Sequence, residues 1–198
     1  GIIGVFVFFW LISAGKLGFM PTFEELENPN NRFASEVYFA DGPIMNRYFE
    51  KENRKYIEYR EIPQSVIDAL IATEDVRFYD HSGVDVRGLF RVAKGLLTAN
   101  TSAGGGSTIS QQLAKMLFPR ESDLNVFELA IRKFREWVIA VRLEKSYTKE
   151  EILTMYLNKY DFLNLAVGIS SAADIYFQVP LDSLKVEQAA MLDRKSVV

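Results

Sequence analysis

The sequence contains no cysteine and one histidine, His81. The first absence excludes disulfide frameworks, thiolate metal sites and cysteine nucleophiles, and it says little about compartment. The second excludes multi-histidine metal sites and paired-histidine chemistry. Positive charge is not in excess either. Against 23 Lys and Arg stand 26 Asp and Glu, a net charge of −3, which argues against a globally basic nucleic-acid binder. What is present looks ordinary on average: 198 residues, 48% hydrophobic and 25% charged, the composition of a globular chain and not a disordered one. That length allows one domain, or a small domain with appendages. The averages hide a polarised chain.

No residue before Lys16 is charged, and the opening stretch reads GIIGVFVFFWLISAG. Such a run is shorter than the roughly 20 residues that span a bilayer. Three readings compete. A buried core helix is one, although apolar residues occur all round the helix. A signal peptide is another, with Ser-Ala-Gly as its only cleavage hint. The preferred reading is the outer end of a truncated transmembrane helix, with Trp10 and the 16–20 flank near the interface. Residues 1–20 are thus expected to be a membrane anchor, whose orientation depends on upstream Lys and Arg.

Residues 21–62 read as a linker followed by a small β region. Pro21 to Arg32 is polar and carries Pro and Asn. Asp41-Gly42 between SEVYFA and IMNRYFE suggests a hairpin, and KYIEY a third strand. From Pro63 the pattern turns helical. Val66/Leu70 and Ile67/Ile71 repeat at i, i+4, and Asp85 is placed to cap a helix through Leu97. A Ser/Gly loop over 101–106 leads to a capping-box pattern, Thr108 with Gln111, opening a helix to about Phe118. Phe127, Ile131, Phe134, Val138 and Val141 mark a long amphipathic helix. Thr148 and Glu151 form another capping box, and a further helix is expected over 167–176. The fold class is mainly α with a small β component.

Several positions invite chemistry. Glu74 continues the apolar face of Leu70 and Ile71 at a helix end. Partial desolvation and the negative end of the helix dipole would both favour its protonated form, which suits a general acid or base. An ordinary solvated carboxylate fits the same spacing. His81, before Gly83, is read as a residue that holds the loop in place. Phe78 and Tyr79 are read as core or cleft wall. On a helix, Thr108, Gln112 and Lys115 form one polar stripe that begins after Gly104-Gly105-Gly106. Free backbone N–H groups, a hydroxyl, an amide and a cation then face one way, a plausible anion or phosphate site. It is not a P-loop, since no Gly-Lys-Ser/Thr follows the glycines. A flexible loop entering a surface helix fits equally well. Arg87, Arg91 and Lys94 make a second cationic face, usually just solvated but able to attract phosphate if it faces a membrane-linked anion. Glu136 lies off the Phe134/Val138 stripe, with Arg132 four residues before it and Lys133 three before, either in a surface pair with Arg132 or as a second active-site carboxylate polarised by these adjacent cations.

Taken together, these segments resemble a known family. EDVRFYDHSGVD at 74–85, GGSTISQQLAKMLF at 105–118, RKFREWVIAVRLEKSYTKEEILTMYLNKY at 132–160 and GISSAADIYF at 168–177 are similar, in order, to the signatures of the family 51 peptidoglycan glycosyltransferases. The resemblance runs over about residues 62–191. It implies a lysozyme-like helical domain over 63–198, incomplete at its C-terminal end. It implies polymerisation of lipid II by inverting displacement of undecaprenyl pyrophosphate, with Glu74 as general base and Glu136 as the second carboxylate. Lys115 would stabilise the leaving group, with Ser107, Thr108 and Gln112 beside it. Asp75, Phe78, His81 and Arg91 would bind or shape the substrate cleft. It further implies lipid II, the growing lipid-linked glycan strand, the bilayer and other cell-wall synthesis proteins as partners, with no nucleic acid. The place of action would be the outer face of the bacterial cytoplasmic membrane, on a single-pass anchor. The resemblance fixes no cofactor and leaves Mg²⁺ or another divalent cation open, with no ligand cluster for it in the sequence. The sequence departs from the family in the PRESDLNVFELA segment, where Arg120 is the candidate donor-side arginine, and at MLDRKSVV. A lysozyme-like or lytic glycan-cleaving enzyme also uses a carboxylate in a helical cleft, but has no pyrophosphate leaving group to explain the Gly-rich loop and Lys115. An inactive membrane-anchored scaffold is the other alternative.

Overall fold

A computed structural model describes residues 2–16, 35–38, 44–48, 56–98, 105–117, 125–164 and 166–193. Helix dominates them. In chain order the elements are α1 (Ile2–Ser13), β1 (Ser35–Tyr38), β2 (Ile44–Tyr48), α2 (Gln64–Glu74), α3 (Val86–Leu97), α4 (Ile109–Leu117), α5 (Val126–Ser146), α6 (Lys149–Lys159), α7 (Ile169–Phe177) and α8 (Val186–Asp193). Single 3-10 turns occur at Tyr59–Glu61, Phe78–Asp80 and Leu181–Ser183. The chain divides into two compact units. One is drawn from Gly1–Pro29 and Arg77–Ile152, the other from Asn30–Val76 and Leu153–Val198.

In the first unit, local signals start each helix. Asp85 Oδ1 accepts the Gly88 N–H at 2.9 Å and caps α3. Thr108 and Gln111 exchange backbone-to-side-chain bonds at 3.3 and 3.2 Å ahead of α4. Asn125 and Glu128 do the same for α5 at 2.9 and 3.0 Å. Thr148 and Glu151 open α6 at 2.7 and 3.2 Å. The core joins Ile109 and Leu113 of α4 to Ile139, Ala140 and Leu143 of α5, with Phe78 wholly enclosed. This corrects the expected core face of α5. The stripe from Phe127 to Val141 is half-buried at best, and Phe127 is 71% exposed. Its middle meets α1 instead: Phe134 makes an edge contact with Phe9, ring centroids 5.7 Å apart. Arg142 donates to the carbonyl and hydroxyl of Ser13 at the end of α1, both at 2.8 Å. α1 is thus amphipathic by packing though not by sequence: Ile12 is buried while Val7 and Trp10 are exposed. Its 12 residues rise only about 18 Å. No described helix is long and apolar enough to cross a membrane.

In the second unit, β1 and β2 pair antiparallel, Ser35 opposite Tyr48 and Val37 opposite Asn46, with a register shift after Val37. The expected third strand does not form over the described part of KYIEY, 56–59. Residues 56–58 take no regular structure, and Tyr59 begins a 3-10 turn. Asn158 explains why. Its side chain accepts the Ile57 N–H and donates to the Ile57 carbonyl, both at 2.9 Å, so α6 satisfies the polar groups a neighbouring strand would have met. Val66, Ile67 and Leu70 bury one face of α2, and α8 packs on that helix. Gly168 caps α7 at φ 87°, with Asn158 O at 3.0 Å from where a Cβ would stand. The Asp41-Gly42 turn, the 21–32 linker, residues 101–104, Phe118, Arg120 and residues 194–198 lie outside the described residues.

Candidate active site

Most of the candidate residues fall in the first unit, where Phe78, His81 and Thr108 meet at one loop. After the Phe78–Asp80 turn, His81 Nδ1 accepts the Gly83 N–H at 3.2 Å. Gly83 adopts φ +96° and presses against α5: a Cβ there would stand 2.7 Å from the Ala140 carbonyl carbon and 2.8 Å from Val141 N. Only glycine allows both the backbone angle and the approach. The carbonyl of Gly83 accepts the Thr108 hydroxyl at 2.6 Å, which ties the loop to the start of α4. Farther along, Arg77 and Asp85 form an ion pair at 2.5 Å, which spans the loop's base. Burial pushes the Asp85 carboxyl up, but the hydrogen bonds from Arg77 and the Gly88 N–H, the Arg77 charge and a contribution from His81 outweigh it. The net effect lowers its pKa below the ordinary 3.8.

The polar stripe of α4 is less uniform than its spacing suggests. Thr108 is buried, 2% exposed, and its hydroxyl proton is committed to Gly83. Ser110 and Gln111 are also buried, which periodicity did not single out. Gln112 is half-buried and Lys115 is exposed, about 10 Å along the helix from Thr108. The N-terminus of α4 still follows the exposed Gly105, and Ser107 is half-buried beside it.

Glu136 has a partner the sequence did not favour. It pairs with Lys133, at 2.8 Å, and its side chain is only 12% exposed. The same ammonium donates to Ser107 Oγ at 3.1 Å. A solvated surface pair with Arg132 is therefore not what forms. Glu136 lies one turn before Ile139 and Ala140, on the face of α5 that meets α4, so its pairing choice is set by packing. The sequence sets Lys133 beside Glu136 as one of two adjacent cations but gives it no place among the candidate residues. Its i, i+3 offset from Glu136 was visible, but its reach to Ser107 was not.

The other candidates are placed as follows. Phe78 is enclosed, with the His81 ring edge-on at 6.2 Å between centroids, whereas Tyr79 is exposed and forms no core. Arg91 lies exposed on α3 with Arg87 and Lys94. Glu74 and Asp75 belong to the second unit, at the end of α2. Glu74 is half-buried and Asp75 is 7% exposed. Among the described residues no group of three acidic or histidine side chains is arranged to hold a metal ion, so the divalent cation rests on the resemblance alone.

Comparison with known proteins agrees with the signatures. A family model described as Transglycosylase matches residues 41–195. Penicillin-binding protein 1A of Escherichia coli is 37% identical over 173 residues, which are 87% of this chain and 20% of that protein. The proteins of the same name in Pseudomonas aeruginosa and Neisseria lactamica are 37% and 36% identical over the same length. The chain spans about a fifth of the length of these relatives. With the ordered signatures and a family match over most of its length, the chain belongs to the transglycosylases, the family 51 peptidoglycan glycosyltransferases.

Proposed function

We propose that the chain polymerises lipid II into β-1,4-linked glycan strands. The observation that carries this reading is the cluster at the start of α4: Lys133 joins Ser107 of the Gly-rich loop to the enclosed carboxylate of Glu136. A fixed cation, a hydroxyl and a helix N-terminus at one place suit an anionic leaving group, and glycan hydrolysis has no such group to stabilise.

In the proposed reaction the Glu74 carboxylate takes the proton of the acceptor GlcNAc 4-hydroxyl. That oxygen forms a bond to C1 of the donor MurNAc as the C1–O bond to undecaprenyl pyrophosphate breaks with inversion. The pyrophosphate departs with the bonding pair. Lys115, Gln112 and Ser107 meet its charge, while Glu136 holds Lys133 in place. Thr108 contributes by fixing the loop that carries His81 and Phe78. Asp75 and Arg91 bind the substrate's polar groups. The domain from residue 63 onward is lysozyme-like and catalytic, 21–62 is a linker with a small β region, and 1–20 is membrane anchor. The exposed Trp10 and Val7 of α1 suit a lipid boundary. The chain then acts at the outer face of the bacterial cytoplasmic membrane, on lipid II and the growing strand, alongside other cell-wall synthesis proteins.

Incubation with lipid II tests the reading, with finished peptidoglycan as the parallel substrate. Polymer from the first is expected, with Glu74→Gln lowering turnover at least ~100-fold. Lys115→Ala is expected to lose ~10²–10³-fold in kcat with the fold intact. Soluble fragments from peptidoglycan, with no polymer from lipid II, would overturn it.

A further inference from the structure

Glu144, near the end of α5, is nearly enclosed, with 5% of its side chain exposed. Its carboxylate accepts the hydroxyl of the fully buried Ser110 at 2.5 Å and meets Lys149 Nζ at 2.8 Å. The same ammonium donates to the His81 carbonyl at 2.7 Å and lies 4.3 Å from the centre of the Phe78 ring. One ion pair thus joins four segments of the first unit. They are α4 through Ser110, the end of α5, the start of α6, and the loop from Phe78 to Gly83.

Stability alone is a poor account of this arrangement. Two desolvated charges recover in mutual attraction about what they lose in hydration, and an apolar pair of equal volume is often as stable. What an apolar pair cannot supply is direction. An ammonium hydrogen-bonded to a carboxylate and to one backbone carbonyl fixes that carbonyl in place. Thr108 to Gly83 is the second tie between the same loop and α4. With both ties made, the loop has little freedom to slide along the helix.

We propose that Glu144 and Lys149 are positioning residues for sugar transfer. The pair sets the place of the His81 loop against the start of α4, and through it the alignment of Phe78 and His81 with Ser107. This rests on the glycosyltransferase reading above. Misplacing a binding group by about an ångström lowers turnover more than affinity.

The test uses the full chain and the variants Lys149→Met, Lys149→Arg and Glu144→Gln, each checked for folding by circular dichroism and thermal unfolding. Amide hydrogen exchange and lipid II turnover are then measured. In Lys149→Met, exchange of the 81–83 amides is expected to rise about tenfold, with the amides of 153–157 unchanged. Its kcat should fall about 10- to 100-fold, with KM within about threefold of wild type. Lys149→Arg, which keeps a cation for Glu144, should recover part of that loss, and Glu144→Gln should loosen the same amides. Unchanged exchange over 81–83 in folded Lys149→Met or Glu144→Gln overturns the proposal. So does a loss of turnover that merely follows the unfolded fraction. Should wild type make no polymer, the glycosyltransferase reading fails, while the exchange measurement still decides whether the pair holds the loop.

Discussion

Replacing Gly83 by alanine adds one methyl group where the loop presses directly on the backbone of α5. Its Cβ would stand 2.7 Å from the Ala140 carbonyl carbon and 2.8 Å from both the Ala140 oxygen and Val141 N. All three are helix backbone, which cannot swing aside as a side-chain tip does. The residue also sits at φ +96°, where a side chain costs of order 1–2 kcal/mol. Forcing an extra methyl into a packed contact costs about 1–3 kcal/mol more. Together these give about 2–5 kcal/mol, a large share of the roughly 5–15 kcal/mol that holds a domain together. Urea unfolding followed by circular dichroism reads the change directly, and a drop in Tm of roughly 5–15 °C should accompany it. Gly105→Ala is the control: a Cβ there meets nothing within 4 Å. Its effect should stay within about 0.5 kcal/mol. A Gly83→Ala protein within about 0.5 kcal/mol of wild type would refute the claim that this loop is pressed onto α5.

Asn158→Ala strips the second unit of three buried hydrogen bonds, to Ile57 N, Ile57 O and Thr154 O. Two of them leave Ile57 unsatisfied, so a loss of about 2–4 kcal/mol in urea unfolding is expected, and a loss under about 1 kcal/mol would contradict the buried pairing. Asp85 makes stability depend on pH. Because its folded pKa is lowered, its contribution is full above the ordinary 3.8 and fades as pH falls through the folded value. Asp85→Asn should therefore be less stable than wild type at pH 7, with the gap closing as pH falls below 3.8. A gap that is constant with pH would show that the Arg77 pair is not its source.

Local features were legible from residue order. Thr108 with Gln111, Thr148 with Glu151, and Asp85 before α3 are contacts across three residues, so sequence spacing nearly contains them. The order of the signature segments likewise sufficed to place the family. The core face of α5 was not legible, because two faces of that helix carry apolar residues. Phe134 lies against α1, while Ile139, Ala140 and Leu143 form the buried face. Choosing between them requires knowing which helices are neighbours. KYIEY misled for a related reason. Its composition suits a strand, but its polar backbone groups at Ile57 are met by Asn158, a hundred residues away in sequence.

By itself, the sequence determined the helices between Pro63 and Phe177, the caps at Asp85, Thr108 and Thr148, the family and the chemistry available: with no cysteine and one histidine, carboxylates are left for acid–base work. Tertiary structure alone decided which charges meet. Glu136 takes Lys133 and not Arg132, and that ammonium goes on to Ser107. Lys149 reaches back to His81, and Glu144 to Ser110. The physical reason is range. A cap is closed within one turn of helix, as the Lys133–Glu136 pair is, but which cation in reach Glu136 takes, and which distant group Lys133, Lys149 and Glu144 go on to meet, depends on how the faces pack.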